Sequence, residues 1–348
     1  MAEQTTAVKL QTEQLIADIL GTIERERERE IVARRFGLFD RKETLEQIGE
    51  LLGITRERVR QLEKSVVTRL KTAADQQALP QIDQFETIVR EYLENVGGVA
   101  RVSNITAQLV ADANRVEQAR VAFLSQLGTT LLVVNEDDHF YNSVALKGSR
   151  DEKQLKAAVT RVIDTIKQLG EPKDIATIAA TAGIEDAKEA EALASTSKQL
   201  ATLNDRWGLV KWPMVNPKNI RDKIYVILKE QGKHMHFNEI AEAIKDSDFK
   251  RKDVTTQAIH NELIKDKRFV LIGRGIYALK EWGYKKGTVA DIISEVLREA
   301  GEPLHRDEIV KRVLKSRFVK ETTILLNLQG KSQFKRVAKA TYELTEAE

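Results

Sequence analysis

A mainly α chain, a helix-turn-helix followed by four copies of a helix–helix–helix–hairpin unit, is the fold class this sequence predicts. Three observations predict it. Apolar residues recur at helical spacing over most of the chain, Gly53 interrupts two segments that each begin with a threonine cap, and a Gly-to-Ile spacing repeats four times. The 348 residues carry 31% charged and 5% aromatic side chains, with 18 Gly and 5 Pro. This composition argues against an all-β sandwich and against low-complexity disorder.

Near the N-terminus, residues 10–23 and 28–38 are expected to form two short helices, the first with Leu15, Ile16, Ile19 and Leu20 on one face. The alternating run Glu24–Glu30 is expected to be a solvated helix start, its opposite charges meeting one turn apart. Thr44 can cap the next helix with Gln47 three residues on, a capping-box arrangement, and Leu45, Ile48, Leu51 and Leu52 line that helix's apolar face. Gly53 permits a sharp turn and Thr55 caps a second helix, in which Val59, Leu62, Val66 and Leu70 fall on the core side. Arg56, Glu57, Arg60, Gln61 and Lys64 lie opposite. The stretch Gln76–Gln81, with Pro80, is the first expected linker.

From residue 85 an apolar helix ends four times at a Gly, with an Ile eight residues later: Gly97/Ile105, Gly170/Ile178, Gly232/Ile240 and Gly301/Ile309. Each unit closes on two short apolar stretches around a polar turn: Leu131–Val134 then Phe140–Tyr141, Leu200–Leu203 then Trp207–Val210, Phe269–Ile272 then Ile276–Leu279, and Phe334–Val337 then Thr341–Leu344. The expected fold is therefore mainly α, with tandem helix-turn-helix and winged-helix modules carrying small β-hairpin wings. Its divisions are 1–75 for the helix-turn-helix, 82–148, 151–213 and 218–284 for three winged units, and 286–346 for the fourth.

Composition also bounds function. Without cysteine there is no disulfide scaffold, thiolate zinc site or cysteine nucleophile. No apolar run reaches the roughly 18–20 residues of a membrane span, and the polar start MAEQTTAVKLQTEQ lacks a signal-peptide core, so a cytoplasmic protein is expected. The net charge of +3 is unevenly spread: +3 over 24–71, −5 over 72–149, zero over 150–212, +4 over 213–284 and +3 over 285–348. A basic front and a basic back suit two nucleic-acid contacts separated by modules with another task.

In a helix-turn-helix, the first residues of the second helix enter the major groove. There Arg56 can pair with guanine, Gln61 with adenine, and Glu57 can accept from cytosine. Arg58 and Arg60 flank the helix start, where phosphates would lie. The words Arg34-Arg35-Phe36-Gly37-Leu38-Phe39-Asp40 and Thr44–Glu63 resemble region 4 of the primary sigma-factor family of bacterial RNA polymerase, over about residues 12–72. The resemblance implies a unit that reads the −35 promoter element and contacts the polymerase flap. By position, Arg56, Glu57 and Gln61 would touch bases, and Thr44, Arg58 and Arg60 the backbone or its neighbourhood. Only 23 residues precede the basic stretch, so a complete sigma factor acting by the family's usual mechanism is not expected.

The words Gly232–Ala241 and Arg268–Trp282 in the third unit look like the HARE-type winged helix-turn-helix, also found in the delta subunit of RNA polymerase from some Gram-positive bacteria; the fourth unit is similar but more diverged. That implies DNA binding or polymerase association. The third helix of unit three is expected to begin near Lys250-Arg251-Lys252 and to expose Thr255, Thr256, Gln257, His260 and Asn261. Arg251, Lys252 and Gln257 are its candidate DNA contacts. Unit four offers Lys320, Thr322, Thr323, Lys331, Lys335 and Arg336, whereas unit two carries Glu185, Asp186, Glu189 and Glu191 in the same segment, which phosphates repel. Units one and two are therefore expected to bind protein or act as spacers.

Two apparent signals carry little. His234-x-His236, with His260 further on, has no cysteine or carboxylate at ligand spacing, so no metal is expected. Gly273-Arg274-Gly275 fits a dinucleotide-binding pattern, but a strand is expected to follow it, so a phosphate would have no helix N-terminus to sit on. No cofactor, enzymatic activity or small-molecule substrate is expected. The sequence predicts a DNA-binding bacterial transcription regulator that recognises a −35-like promoter element, works with the RNA polymerase core, and sits on the nucleoid. The alternative is a polymerase accessory protein that acts mainly by protein contacts and competes with sigma factors.

Overall fold

A computed structural model describes residues 9–148 and 150–345. The polar stretch before residue 9, Ser149 in the expected break after unit one, and the last residue of the expected fourth unit lie outside these. The protein is mainly helical with small three-stranded antiparallel sheets. It divides between Val210 and Lys211 into two compact units.

The first unit opens with α1 (Thr12–Gly21), α2 (Glu26–Phe36), α3 (Leu45–Leu52) and α4 (Arg56–Asp75). The next helix, α5 (Pro80–Asn95), starts at Pro80, so only residues 76–79 link it to α4, and Leu79 among them is buried. Proline at the first helical position gives up an N–H that would have no partner there. The expected linker is thus short, exposed over residues 76–78 and anchored by Leu79. Beyond it come β1 (Val99–Arg101), α6 (Val102–Leu109), α7 (Arg115–Leu127), β2 (Leu131–Val134) and β3 (Ser143–Leu146), which with α5 make up what we call module one.

Module two repeats that order: α8 (Glu152–Leu169), β4 (Lys173–Asp174), α9 (Ile175–Ala182), α10 (Ala187–Thr196), β5 (Leu200–Leu203) and β6 (Arg206–Leu209). In the second unit, module three is α11 (Ile220–Gln231), β7 (Met235–His236), α12 (Phe237–Asp246), α13 (Thr256–Lys265), β8 (Phe269–Gly273) and β9 (Ile276–Leu279). Module four is α14 (Val289–Ala300), β10 (Leu304–His305), α15 (Arg306–Ser316), α16 (Glu321–Gly330), β11 (Phe334–Ala338) and β12 (Thr341–Leu344). In every module the short first strand pairs with the last strand, which also forms the hairpin.

The repeat works as its spacing predicts. Gly170, Gly232 and Gly301 are left-handed helix caps, and Ile105, Ile178, Ile240 and Ile309 are fully buried. The first strands, two or three residues each, are too short to leave a period in the sequence. One hairpin differs from expectation. The return strand of module one is Ser143–Leu146, not Phe140–Tyr141, because Phe140 pairs with Ser197 of module two instead.

A single core runs through α1, α2, α4 and module one. Ile16, Ile19, Val32, Leu38, Val66 and Leu70 pack with Phe85, Val89, Phe123 and Leu124. The Phe36 and Phe123 rings lie 4.8 Å apart. Arg120 on α7 is buried, with Nε donating to the Leu38 carbonyl at 2.7 Å and Nη1 to Glu117 at 2.5 Å. Burying a guanidinium is tolerable only with such partners. The charge run of residues 24–30 is less solvated than expected, since Glu28 is buried and ion-paired to Arg69 and Arg25.

Candidate nucleic-acid interface

Helices α3 and α4 form the helix-turn-helix. Thr44 accepts from the Gln47 N–H at 3.3 Å and Gln47 Oε1 accepts from the Thr44 N–H at 2.9 Å, which completes the expected capping box. Gly53 turns the chain at φ 65, and Thr55 caps α4 through the Arg58 N–H at 3.2 Å. A side chain on Gly49 would stand 2.7 Å from the Ile54 carbonyl, so the turn closes tightly only over glycine. Ile48 and Val59 are buried against Ile31, with Leu45, Leu52 and Leu62 partly covered. Leu51, expected on the apolar face, is exposed instead.

All six candidate positions on α4 (Arg56, Glu57, Arg58, Arg60, Gln61 and Lys64) are exposed, as is Thr44. They share one helix, and Glu57, Arg58, Arg60 and Gln61 form a network. Arg60 donates to both Glu57 oxygens at 2.8 and 2.7 Å, Gln61 Nε2 donates to Glu57 at 3.3 Å, and Arg56 pairs with Glu46 on α3 at 3.0 Å. The Arg60 hydrogen bonds hold the Glu57 carboxyl below the usual glutamate range and raise the Arg60 guanidinium. Such solvent-exposed pairs contribute little to stability, so they can open when a duplex offers its own partners.

The remaining candidates belong to the second unit. The third helix of module three begins at Thr256, later than expected, because Thr255 supplies its cap through the Ala258 N–H. Arg251 and Lys252 therefore sit in the loop before α13, and Gln257 lies in its first turn, all three exposed. His260, expected to be exposed, is partly buried, with its ring beside Phe237 and Tyr277. Lys320, Thr322, Thr323, Lys331, Lys335 and Arg336 of module four are exposed.

Three other histidines have local tasks. His236 caps α12 by accepting the Asn238 N–H, His305 caps α15 in the same way, and the His234 ring packs on Phe318 at 4.4 Å. Among the described residues, no group of three His, Cys, Asp or Glu is placed to hold a metal ion. The Gly273-Arg274-Gly275 segment is the β8–β9 turn, with a strand after it. None of the described helices is long and apolar enough to cross a membrane.

Residues 25–72 match the family model for Sigma-70, region 4. Over 57 residues, 16% of the chain, the sequence is 47% identical to RNA polymerase sigma factor sigB of Arabidopsis thaliana. It is 41% identical over 70 residues to RNA polymerase sigma factor RpoD of Helicobacter pylori, covering 20% of this chain. Over 66 residues, 19% of the chain, it is 46% identical to RNA polymerase sigma factor SigA of a Bacillus species. These matches span 9%, 9% and 17% of the relatives' own lengths. The sigma region 4-like segment thus holds α2, α3 and most of α4, including every candidate residue on α4.

Sequence reasoning missed how the third helix of module two is used. Helix α10 packs on β1 of module one. Around that contact the Tyr141 N–H donates to the Thr196 carbonyl at 2.9 Å, the Lys198 N–H donates to the His139 carbonyl at 2.8 Å, and Arg150 pairs with Glu189 at 2.5 Å. Arg101 donates to the Ser195 carbonyl and stacks over the Tyr141 ring at 3.9 Å, and its burial lowers the guanidinium pKa. Gly97, read from the sequence only as the end of a helix, lies at φ 95 so close to Lys188 that any side chain there would strike the Lys188 carbonyl.

Proposed function

We propose that this chain is a DNA-binding bacterial transcription regulator. Helix α4 of its sigma region 4-like segment enters the major groove of a −35-like promoter element, and the same segment associates with the RNA polymerase core at its flap. Modules three and four act as winged helices of the HARE type, and module three adds phosphate contacts through Arg251 and Lys252, with Gln257 reaching base edges. Such a protein works in the cytoplasm on the nucleoid and needs no cofactor, substrate or membrane.

The observation that carries this reading is the exposed Arg56–Lys64 face of α4, opposite the buried Val59, Val66 and Leu70, within the segment that matches sigma region 4. Fluorescence anisotropy with a −35-bearing duplex and its scrambled counterpart tests it. Preferential binding of the −35 duplex is expected, and equal binding of the two would overturn promoter reading.

A second reading, an accessory protein acting mainly by protein contacts and competing with sigma factors, draws support from modules one and two. Their third-helix face is spent on packing, and residues 72–149 carry a charge of −5. A pull-down that recovers DNA but no polymerase subunit would count against it.

A further inference from the structure

Beneath the basic loop of module three lies a buried lysine. Lys223 on α11 is 5% exposed, and its Nζ donates to the Lys250 carbonyl at 2.8 Å and the Arg251 carbonyl at 2.6 Å. Burying an ammonium is costly unless it gains hydrogen bonds, and here it gains two from consecutive carbonyls. Burial, and after it the Arg251 charge, lower the pKa of this lysine. The loop is also shaped from its ends. Phe249 is buried, its N–H donates to Ser247 Oγ at 3.3 Å, and Lys252 Nζ donates to the Ser247 carbonyl at 3.1 Å.

Turning those carbonyls inward has a geometric result. A trans peptide carries its N–H opposite its C=O, so the N–H groups of Arg251 and Lys252 are turned away from Lys223. Neither closes a short hydrogen bond to an acceptor among the described residues, the Lys252 N–H lying only loosely across the turn from the Phe249 carbonyl. Arg251 holds φ 55, the left-handed region that a non-glycine residue adopts only when its surroundings hold it there. Successive outward N–H groups around such a residue form an anion-binding concavity. Lys250, Arg251 and Lys252 are exposed around it and make no ion pair among the described residues, with Asp246, Asp248 and Asp253 included.

Module four supplies the control within the same unit. Lys223 precedes Gly232 by nine residues, and the residue nine before Gly301 is Ile292, buried and apolar. There the corresponding loop is held differently, with the Phe318 N–H donating to the Ile272 carbonyl of β8 at 3.2 Å and Arg317 to the Leu271 carbonyl at 3.0 Å.

We propose that residues 250–252 form a phosphate-binding loop for the DNA backbone, and that Lys223 is its positioning residue. Lys223 touches no phosphate. It presents two backbone N–H groups and three cations to one. This rests on the reading of the chain as a DNA-binding protein and adds a built phosphate site to it.

The test is the salt dependence of duplex binding by the full chain, since each phosphate contact adds about 0.9 to the slope of log affinity against log salt. Replacing Lys250, Arg251 and Lys252 together by Ala is expected to flatten the slope by roughly two to three contacts. Lys223→Met, which keeps the stem and removes the buried ammonium, is expected to lose about two contacts although it deletes no exposed charge. A role in stability alone would lower the melting temperature and leave the slope unchanged.

Two loop variants keep the proposal falsifiable should Lys223→Met unfold. Arg251→Gly preserves the left-handed turn and should cost about one contact, whereas Arg251→Pro, which fixes φ near −65 and removes the N–H, should cost more. Equal slopes for these two, or a wild-type slope for folded Lys223→Met, would overturn the positioning role. A triple variant with an unchanged slope would overturn the DNA site. If inorganic phosphate then still shifted the Arg251 and Lys252 amide resonances, the loop would take free phosphate instead. Failure of promoter reading registers elsewhere, as equal binding of −35 and scrambled duplexes with the slope effects intact.

Discussion

Helices α10 and α13 occupy the same place in two modules of the same order, yet they meet different surroundings. Helix α10 follows Glu185 and Asp186 and packs on β1 of module one, with the chain at 139–141 paired to 196–198 beside it. Helix α13 follows Lys250-Arg251-Lys252 and leaves Gln257 and Asn261 exposed. A shared layout therefore does not fix a shared task. The two differ in the charge of the segment before the third helix and in whether a neighbour covers that helix. In the sigma region 4-like segment, α4 likewise leaves a polar face exposed, but there the cations Arg56, Arg58 and Arg60 lie on the helix itself.

The largest expected effect breaks the α10 packing. Gly97→Val places a branched side chain against the Lys188 carbonyl at φ 95, where both overpacking and backbone strain apply. A loss of about 3 kcal/mol or more is expected, read as a lower melting temperature in calorimetry. Because the uncovered helix remains acidic, the variant should gain no affinity for DNA. A gain would show that coverage alone keeps module two off the duplex.

Next in size is the loss of base reading on α4. Arg56→Ala with Gln61→Ala should remove about 1–3 kcal/mol of discrimination per contact, seen as convergence of −35 and scrambled duplex affinities in anisotropy titrations. Folding should be little affected, since both side chains are exposed.

Much of this contrast was legible in the sequence. Thr44, Gln47, Gly53 and Thr55 act where they were expected, because caps and turns are local and depend on a few residues of fixed type. The repeat was legible because Ile105, Ile178, Ile240 and Ile309 must be buried at a fixed distance from a turn. Less legible were features set by distant partners. Phe140 pairs with Ser197, Glu28 is buried beside Arg69, and Lys223 props a loop 27 and 28 residues away. A lone charged residue in an amphipathic helix gives no sign of whether it faces solvent or a carbonyl. The start of α13 was misplaced for a related reason: the basic triplet is a loop held from below, and the helix waits for the Thr255 cap.

A smaller effect sharpens the comparison on the exposed side. Glu57→Gln frees Arg60 and removes one carboxylate from the groove-facing surface, so scrambled duplexes should bind roughly threefold tighter at low salt, with the gain fading as salt screens it, while the −35 duplex should gain less because it loses the Glu57 contact to cytosine. The folded-state pKa of Glu57 lies below its unfolded value, so its pairing is present above the unfolded pKa and lost only as pH falls through the lowered one. Between pH 8 and 6 the wild type should therefore not come to resemble Glu57→Gln.

The smallest effect separates charge from coverage. Glu185→Lys with Glu191→Lys makes the α10 segment basic without touching Asp186, whose carboxylate caps the helix, or Glu189, which pairs with Arg150. If charge alone distinguishes α10 from α13, the salt slope should rise by about 1.8, two full phosphate contacts. Because α10 already spends a face on β1 and its neighbouring backbone on residues 139–141, we expect a rise of less than about 0.9 and no new sequence preference. The two added lysines would then attract phosphates only as scattered surface charge, without a loop like that of residues 250–252 to bring N–H groups and cations together.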